Sequence, residues 1–507
     1  MPDLTIVTGT GFTTGRIEST LENITLYVRV GGSDANDGLT VGNAFLTIQA
    51  AVDRVPVDIK HTVIIDVGAG TFAGFTLAGK NIDSRSGSLT VQGVIDNSTA
   101  YPGTYTVLLG TTYNITVLVP TFGVDALVGK LIYVNGQYRR VQTNTASGIW
   151  LANPLTSAAA GTFTVIEEKT LLTTVSSFGI QLASMVCSNR TDLVVKNFQV
   201  TATGTAYGVF ARGSYAATFE RVSVIYTAPA WACGFWLISL RASDLVECYC
   251  GQADSAFLLE DTKLGLARIS AADPANTNEK IGVWAYHGSG GDDISICMDG
   301  FGTMGVKFDG CDKLWINSLR IYNCAVSAMF IGTDVELTDV VLEYDVEGLV
   351  FSSSTALITY IEDYLLTGDV ITLTTDVGYA SPSSVTIVEG YLDGCKNGVI
   401  VGPNSVVHLE DYVGVYDATE SAWIIRAGGI ITSLVTIEGW QSAGYGILIE
   451  DGGLLLYKTA ALFDLNVTGE INLDGVIPLT MAADFIADGD SATNVVTNSR
   501  MARKDSL

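Results

Sequence analysis

Gly208-Val209-Phe210-Ala211-Arg212-Gly213, a short turn, then Ala217-Thr218-Phe219-Glu220-Arg221-Val222-Ser223-Val224 is the stretch that decides the fold. A small residue leads an apolar pair, a corner glycine follows, and a second run alternates apolar with polar, as a strand with one buried face does. The opening phrase returns as Gly234-Phe235-Trp236, Ala256-Phe257-Leu258, Gly282-Val283-Trp284, Gly305-Val306, Ala328-Met329-Phe330 and Gly348-Leu349-Val350. After a gap of about two periods it resumes as Gly398-Val399-Ile400, Ala422-Trp423-Ile424 and Gly446-Ile447-Leu448. A repeat of roughly 20–26 residues is the signature of stacked coils, each unable to bury its face alone.

Composition agrees. Of 507 residues 48% are hydrophobic and 16% charged, which excludes a disordered chain. With 54 glycines and 10 prolines, many tight corners between short strands are expected rather than long helices. The net charge is −26 and no basic stripe is visible, so no nucleic-acid partner is expected. The most apolar stretch, Ala228 to Leu240, is too short to span a bilayer and carries Pro229, so no membrane insertion is expected either. The eight cysteines show no CxxC pairing and no histidine cluster, and they read as buried free thiols. No secretory signal is visible at the N-terminus, so the sequence predicts folding in a reducing cytoplasm.

Residues 1–26 are Thr-rich and read as an arm or attachment segment. Within 27–110, Tyr27-Val28-Arg29-Val30 is a strand and Asn43 is placed to cap a helix through Val55. Phe45, Ile48, Ala51, Val52 and Val55 share one face of that helix, which would cover the open edge of the first coil. The whole segment, YVRVGGSDANDGLTVGNAFLTIQAAVDRVP from Tyr27 to Pro56, resembles the leading segment of pectin-lyase-like right-handed β-helix proteins, above all those of bacteriophage tailspikes and fibres. The resemblance implies a virion protein. It leaves activity open, because that fold hosts lyases, hydrolases, adhesins and inert structural proteins.

Residues 111–167 break the period into antiparallel runs, with Asn135-Gly136 as a two-residue hairpin turn, and read as a small inserted β-barrel-like domain. The main array spans 168–470, and 471–507 leave the pattern as a cap, an oligomerisation segment or a tail. The fold expected is thus all-β: a right-handed parallel β-helix with an N-terminal capping helix and an inserted antiparallel domain.

Glycan cleavage on such a scaffold needs outward carboxylates on neighbouring coils. The candidates are Glu260-Asp261, Asp309 and the pair Asp292 and Asp293, which follow His287 in what reads as a Gly-rich loop. Asp292, Asp293 and His287 form the best catalytic constellation, and a solvated turn is the simpler account of it. Trp231, Trp236, Trp284 and Tyr286 could form a carbohydrate platform. Stacked aromatics also fill solenoid interiors, and core is the simpler reading for Trp236 and Trp284. Asp34-Ala35-Asn36-Asp37-Gly38 has a calcium-like composition without the full loop pattern, so a turn is expected and no metal or cofactor is implied. The leading expectation is a tailspike- or fibre-like virion surface protein, a homotrimer among other virion proteins, structural and in contact with a host receptor or glycan. The alternatives are a polysaccharide-degrading hydrolase or lyase, and a non-catalytic glycan-binding adhesin.

Overall fold

Short alternating runs joined at tight corners bury their apolar faces by stacking, and this chain is an all-β parallel solenoid of about 15 turns. The computed structural model describes residues 19–503, apart from 84, 118–121, 175–177, 184, 186, 188–191, 205, 230–232, 273–279, 375–381, 427, 434–436, 441, 444, 451–452, 458–460, 465–468, 474–484, 488–494 and 497–499. It divides into two compact units, Met1–Ala272 and Asp273–Leu507.

Two parallel ladders build the first unit. In the broad one, Ile24–Val28, Thr62–Val67 and Ser88–Gln92 pair in turn, followed by Leu193–Gly204, Ala217–Pro229, Ser243–Gly251 and Lys263–Ala272. The narrow one runs through Phe75–Ala78, Phe178–Ala183, Tyr207–Arg212, Cys233–Ile238 and Ser255–Glu260. The repeated phrase maps onto the narrow strands residue by residue. Its first position is small because backbones meet there: a Cβ on Gly234 would lie 2.3 Å from Cys250 Sγ and 2.6 Å from the Ala256 carbonyl oxygen. Its second position points inward, as Val209, Phe235 and Phe257 do, and the last two rings stack 4.8 Å apart. Its third position, Phe210, Trp236 and Leu258, stands outward and half-buried. Trp236 is therefore not a core residue: it lies one position off the inward phase.

The second unit repeats the scheme. Its narrow ladder runs Ile281–Tyr286, Met304–Asp309, Val326–Ile331, Glu347–Ser352, Asp369–Thr374, Asn397–Val401 and Trp423–Ile425. Phe308, Phe330 and Phe351 stack as its inward column. The gap in the sequence phrase is not a missing coil. Asp369–Thr374 fills it, with Ile371 in register between Leu349 and Val399 and Val370 in the slot that glycine usually takes. In the C-terminal stretch expected to leave the pattern, Phe485–Ala487, Val495–Val496 and Arg500–Arg503 continue parallel pairing.

The inserted antiparallel sheet takes in the expected 111–167 together with Ile95–Asn97, Thr104–Gly110 and the strand end at Glu168. Its own core includes Ile115, Phe122, Leu127, Ile132, Val141 and Phe163. The Asn135-Gly136 turn closes a hairpin with both residues at positive φ, 51° and 77°, as a type I′ turn needs. The solenoid resumes in register beyond it: Thr170–Thr174 pairs with Gly70–Ala73, and Leu193 sits beside Leu89.

The N-terminal helix is shorter than expected, Ile48–Arg54, and its cap is Thr47, whose hydroxyl accepts the Ala50 N–H at 3.2 Å. Asn43 ends a single 3₁₀ turn instead. The start is moved by Asp34, whose carboxylate accepts the Leu46 and Thr47 N–H groups at 3.0 and 2.8 Å. Ile48, Ala51 and Val52 are its buried residues. All eight cysteines are buried and none forms a disulfide. Among the described residues no helix is long and apolar enough to cross a membrane.

Candidate functional site

The coil carrying His287 lies in the second unit. Trp284 and Tyr286 occupy outward positions of Ile281–Tyr286, half-buried, with rings 5.5 Å apart. The core reading fails for Trp284 as it does for Trp236. Lys307, in register with Trp284 on the next coil, sets its ammonium 5.4 Å from the indole centroid and 3.7 Å from Asp309. That cation covers the ring from one side.

His287 is exposed, edge-on to Tyr286 at 4.6 Å. Its φ of 55° places it in the left-handed corner that Gly310, Gly332 and Ser353 occupy in later coils. Asp292 and Asp293 are not in a loop. They belong to the strand Gly290–Asp299, at a bulge where Gly291 to Ile294 faces Leu314 to Ile316. Asp292 is exposed, and Asp293 is half-buried and accepts the Asn317 amide at 2.6 Å. Among the described residues neither aspartate is hydrogen-bonded or ion-paired to His287. Asp292 is thus exposed in the bulge, whereas His287 and Asp293 each have a local structural occupation. Asp261 does too: it is another left-handed corner, and the Arg241 guanidinium at 2.6 Å holds its carboxyl below the usual range. Trp231 lies outside the described residues.

The structure builds a more extensive aromatic surface in the first unit. Phe210 and Trp236 are in register on the outward side of the narrow ladder, and Phe178 is in register with Tyr207 beside them. Ring centroids are 4.7 Å apart for Phe178–Phe210, 5.3 Å for Phe210–Trp236, 5.1 Å for Tyr207–Trp236 and 5.5 Å for Phe178–Tyr207. All four are half-buried, so each keeps part of its surface in solvent. The Trp236 Nε1 is buried and has no hydrogen-bond partner among the described residues. Of this group the sequence reading singles out only Trp236. The missed signal is the period itself: counting outward from each inward second position finds Phe210 as well.

Carboxyls with shifted pKa values gather elsewhere in the second unit. On its broad ladder, Asp299, Tyr322, Glu343, Tyr364, Asp393 and Tyr416 follow one another in register, alternating acid and phenol. Burial raises Glu343, and the Asp299 charge raises it further. Asp345 is fully buried. Burial pushes it up to about 7 although the Ser327 hydroxyl and the Cys324 N–H donate to it. With no exposed surface, Asp345 braces a corner and cannot reach a ligand.

No family model matches this chain, and no curated protein matches it. Among solved structures, the tailspike protein gp49 from Pseudomonas phage LKA1 aligns over 90% of this chain and 70% of its own, at 11% identity and a TM-score of 0.23. The GH136 lacto-N-biosidase from Eubacterium ramulus aligns over 76% and 64%, at 11% identity and a TM-score of 0.26. The Gp54 tailspike of Acinetobacter baumannii bacteriophage AP22, solved in complex with a capsular saccharide, aligns over 83% and 73%, at 11% identity and a TM-score of 0.20.

Proposed function

We propose that this chain is a virion surface protein of the tailspike or fibre type, assembled as a homotrimer, that contacts a host-surface glycan through the outward aromatic face of its first unit. The observation that carries the reading is the cluster of Phe178, Tyr207, Phe210 and Trp236, four partly exposed rings within 5.5 Å of their neighbours on rigid strands. A pyranose presents a flat C–H face and a rim of hydroxyls, and rings of this kind stack on such a face. Strand placement fixes the rings before binding, which lowers the entropic cost of recognition.

Host capsular or lipopolysaccharide glycans should bind the full chain, and Trp236→Ala should weaken that binding about ten-fold or more without changing the melting temperature by more than a few degrees. Wild-type protein that binds none of the host's surface glycans would sink the reading. A second reading, glycan hydrolysis, is favoured by one observation: Glu343 has a raised pKa and stands two strands from Asp299, with Tyr322 between them. Two ladder steps are about 9.6 Å, at the wide end of what an acid and a base acting through water need. Oligosaccharide release abolished by Glu343→Gln supports it. Release abolished instead by Asp292→Ala or Asp293→Ala would move the chemistry to the His287 coil.

A further inference from the structure

The inserted sheet packs against the solenoid of the first unit along the strand Gln137–Asn144, which lies over Ser243–Gly251 and Lys263–Ala272. A cleft of about 370 Å³ opens there, lined by Gln137, Tyr138, Arg139, Arg221, Glu247 and Arg268 among others. In a chain with a net charge of −26, three guanidinium groups converge on this one concavity.

The three arginines are not equivalent. Arg139 is buried and each of its three nitrogens donates once: to the carbonyls of Pro154 and Tyr138 and to Gln137 Oε1, each at 2.7 Å. Arg221 lies over the Tyr138 ring at 4.7 Å, donates from Nε to Asn197 at 2.8 Å and pairs with Glu220 through Nη1. Arg268 is half-buried and makes no hydrogen bond or ion pair among the described residues. Glu247 is fully buried, and its Oε1 lies 3.3 Å from Arg139 without an aligned hydrogen bond, so that oxygen has no donor among the described residues. Arg221 and Glu247 are both held at a φ of 53°, in the left-handed region, within broad-ladder strands. Both side chains line the cleft.

We infer that this cleft binds a sugar acid or similar hydroxy-carboxylate, its carboxylate on Arg268 and Arg221 and a neighbouring hydroxyl donating to Glu247 Oε1. The cleft offers an unused guanidinium and, beside it, a buried acceptor that lacks a donor. A simple anion satisfies only the first, and a neutral sugar only the second. A molecule bearing both groups satisfies the two together. The volume falls within the range of small-molecule sites. The site shares no residue with the Trp236 face and does not depend on it.

Isothermal titration of the full chain with D-glucuronate, D-glucose, acetate and inorganic phosphate tests the inference. Glucuronate should bind saturably in the millimolar range or better, with acetate and glucose each weaker by about ten-fold, since each lacks one of the two groups. Arg268→Gln should weaken glucuronate about ten-fold, because an ion-paired hydrogen bond is lost, and leave the melting temperature unchanged. Trp236→Ala should not alter it. Absence of saturable glucuronate binding overturns the proposal. So does equal affinity in Arg268→Gln, or phosphate binding as tightly as glucuronate, which would mark the cleft as a general anion site.

Discussion

Glu247 and Asp363 are both carboxyls with almost no exposed surface, one in each unit, and they live in opposite surroundings. Glu247 sits among cations, Arg139 at 3.3 Å and Arg268 across the cleft, and its Oε2 accepts the Arg140 backbone N–H at 3.1 Å. Asp363 points into the core between Leu342 and Leu392, accepts one N–H from Asp393 at 2.9 Å, and leaves Oδ2 with no partner among the described residues. Its nearest charges, Asp393 and Glu362, are of its own sign. Burial raises the pKa of both carboxyls, but cations oppose the rise at Glu247 and anions add to it at Asp363. Burial alone thus says little about what a carboxyl does in a solenoid. Its neighbours decide whether it ties two elements together or carries a proton in the core.

The largest expected effect tests the first half of that contrast. Glu247→Ala removes the carboxylate facing buried Arg139 and the acceptor for the Arg140 N–H, and should destabilise the first unit by about 3–5 kcal/mol in chemical denaturation. Arg140 keeps Glu168 at 2.6 Å, so the exposed cost falls on Arg139. The double variant Arg139→Met with Glu247→Leu should recover most of the loss. A single variant as stable as wild type would mean that the ion network does not hold the inserted sheet in place.

Asp363→Asn tests the second half and should act in the opposite direction. The folded pKa is well above the value of about 4 expected for the unfolded chain, so folding holds a proton that unfolding releases. The stability this group contributes is fully present below pH 4 and is lost as pH rises through the folded pKa. Asparagine keeps the acceptor for Asp393 without the ionisation, so the variant should gain about 1–3 kcal/mol at pH 8 and nothing at pH 4. A constant difference between the two proteins across that range would break the contrast.

What the sequence made legible follows the reach of each interaction. The narrow ladder is visible because its period is local: small, inward, outward, repeated within a coil. The coil at Asp369–Thr374 escapes notice because Val370 stands in the small slot. Asn43 looks like a helix cap because local rules cannot see Asp34, thirteen residues before Thr47, drawing the start forward. His287 and the aspartate pair look catalytic by composition, whereas a left-handed corner and a bulge account for their positions. The arginine cleft is illegible for the same reason as Asp34, on a larger scale: Arg140 and Glu247 meet across 107 residues. No spacing rule within one coil predicts a contact made by an insertion.

Asp345 lies between the two extremes and gives the smallest and most discriminating test. It is as buried as Asp363, but both oxygens are satisfied, one by the Cys324 N–H at 2.6 Å and one by the Ser327 hydroxyl. Those donors pull its pKa down, against burial and the Asp299 and Glu343 charges, to about 7. Its contribution to stability should therefore be present below about pH 4 and lost as pH rises through about 7. Asp345→Asn keeps the acceptor for Cys324 while its amide meets a serine hydroxyl that can turn toward the Glu347 carbonyl at 3.1 Å. The variant should gain stability at pH 8, with the gain developing between pH 4 and 7 and levelling off above it. If its pH dependence instead matches that of Asp363→Asn, hydrogen bonds to a buried carboxyl do not set where it titrates, and the comparison reduces to burial after all.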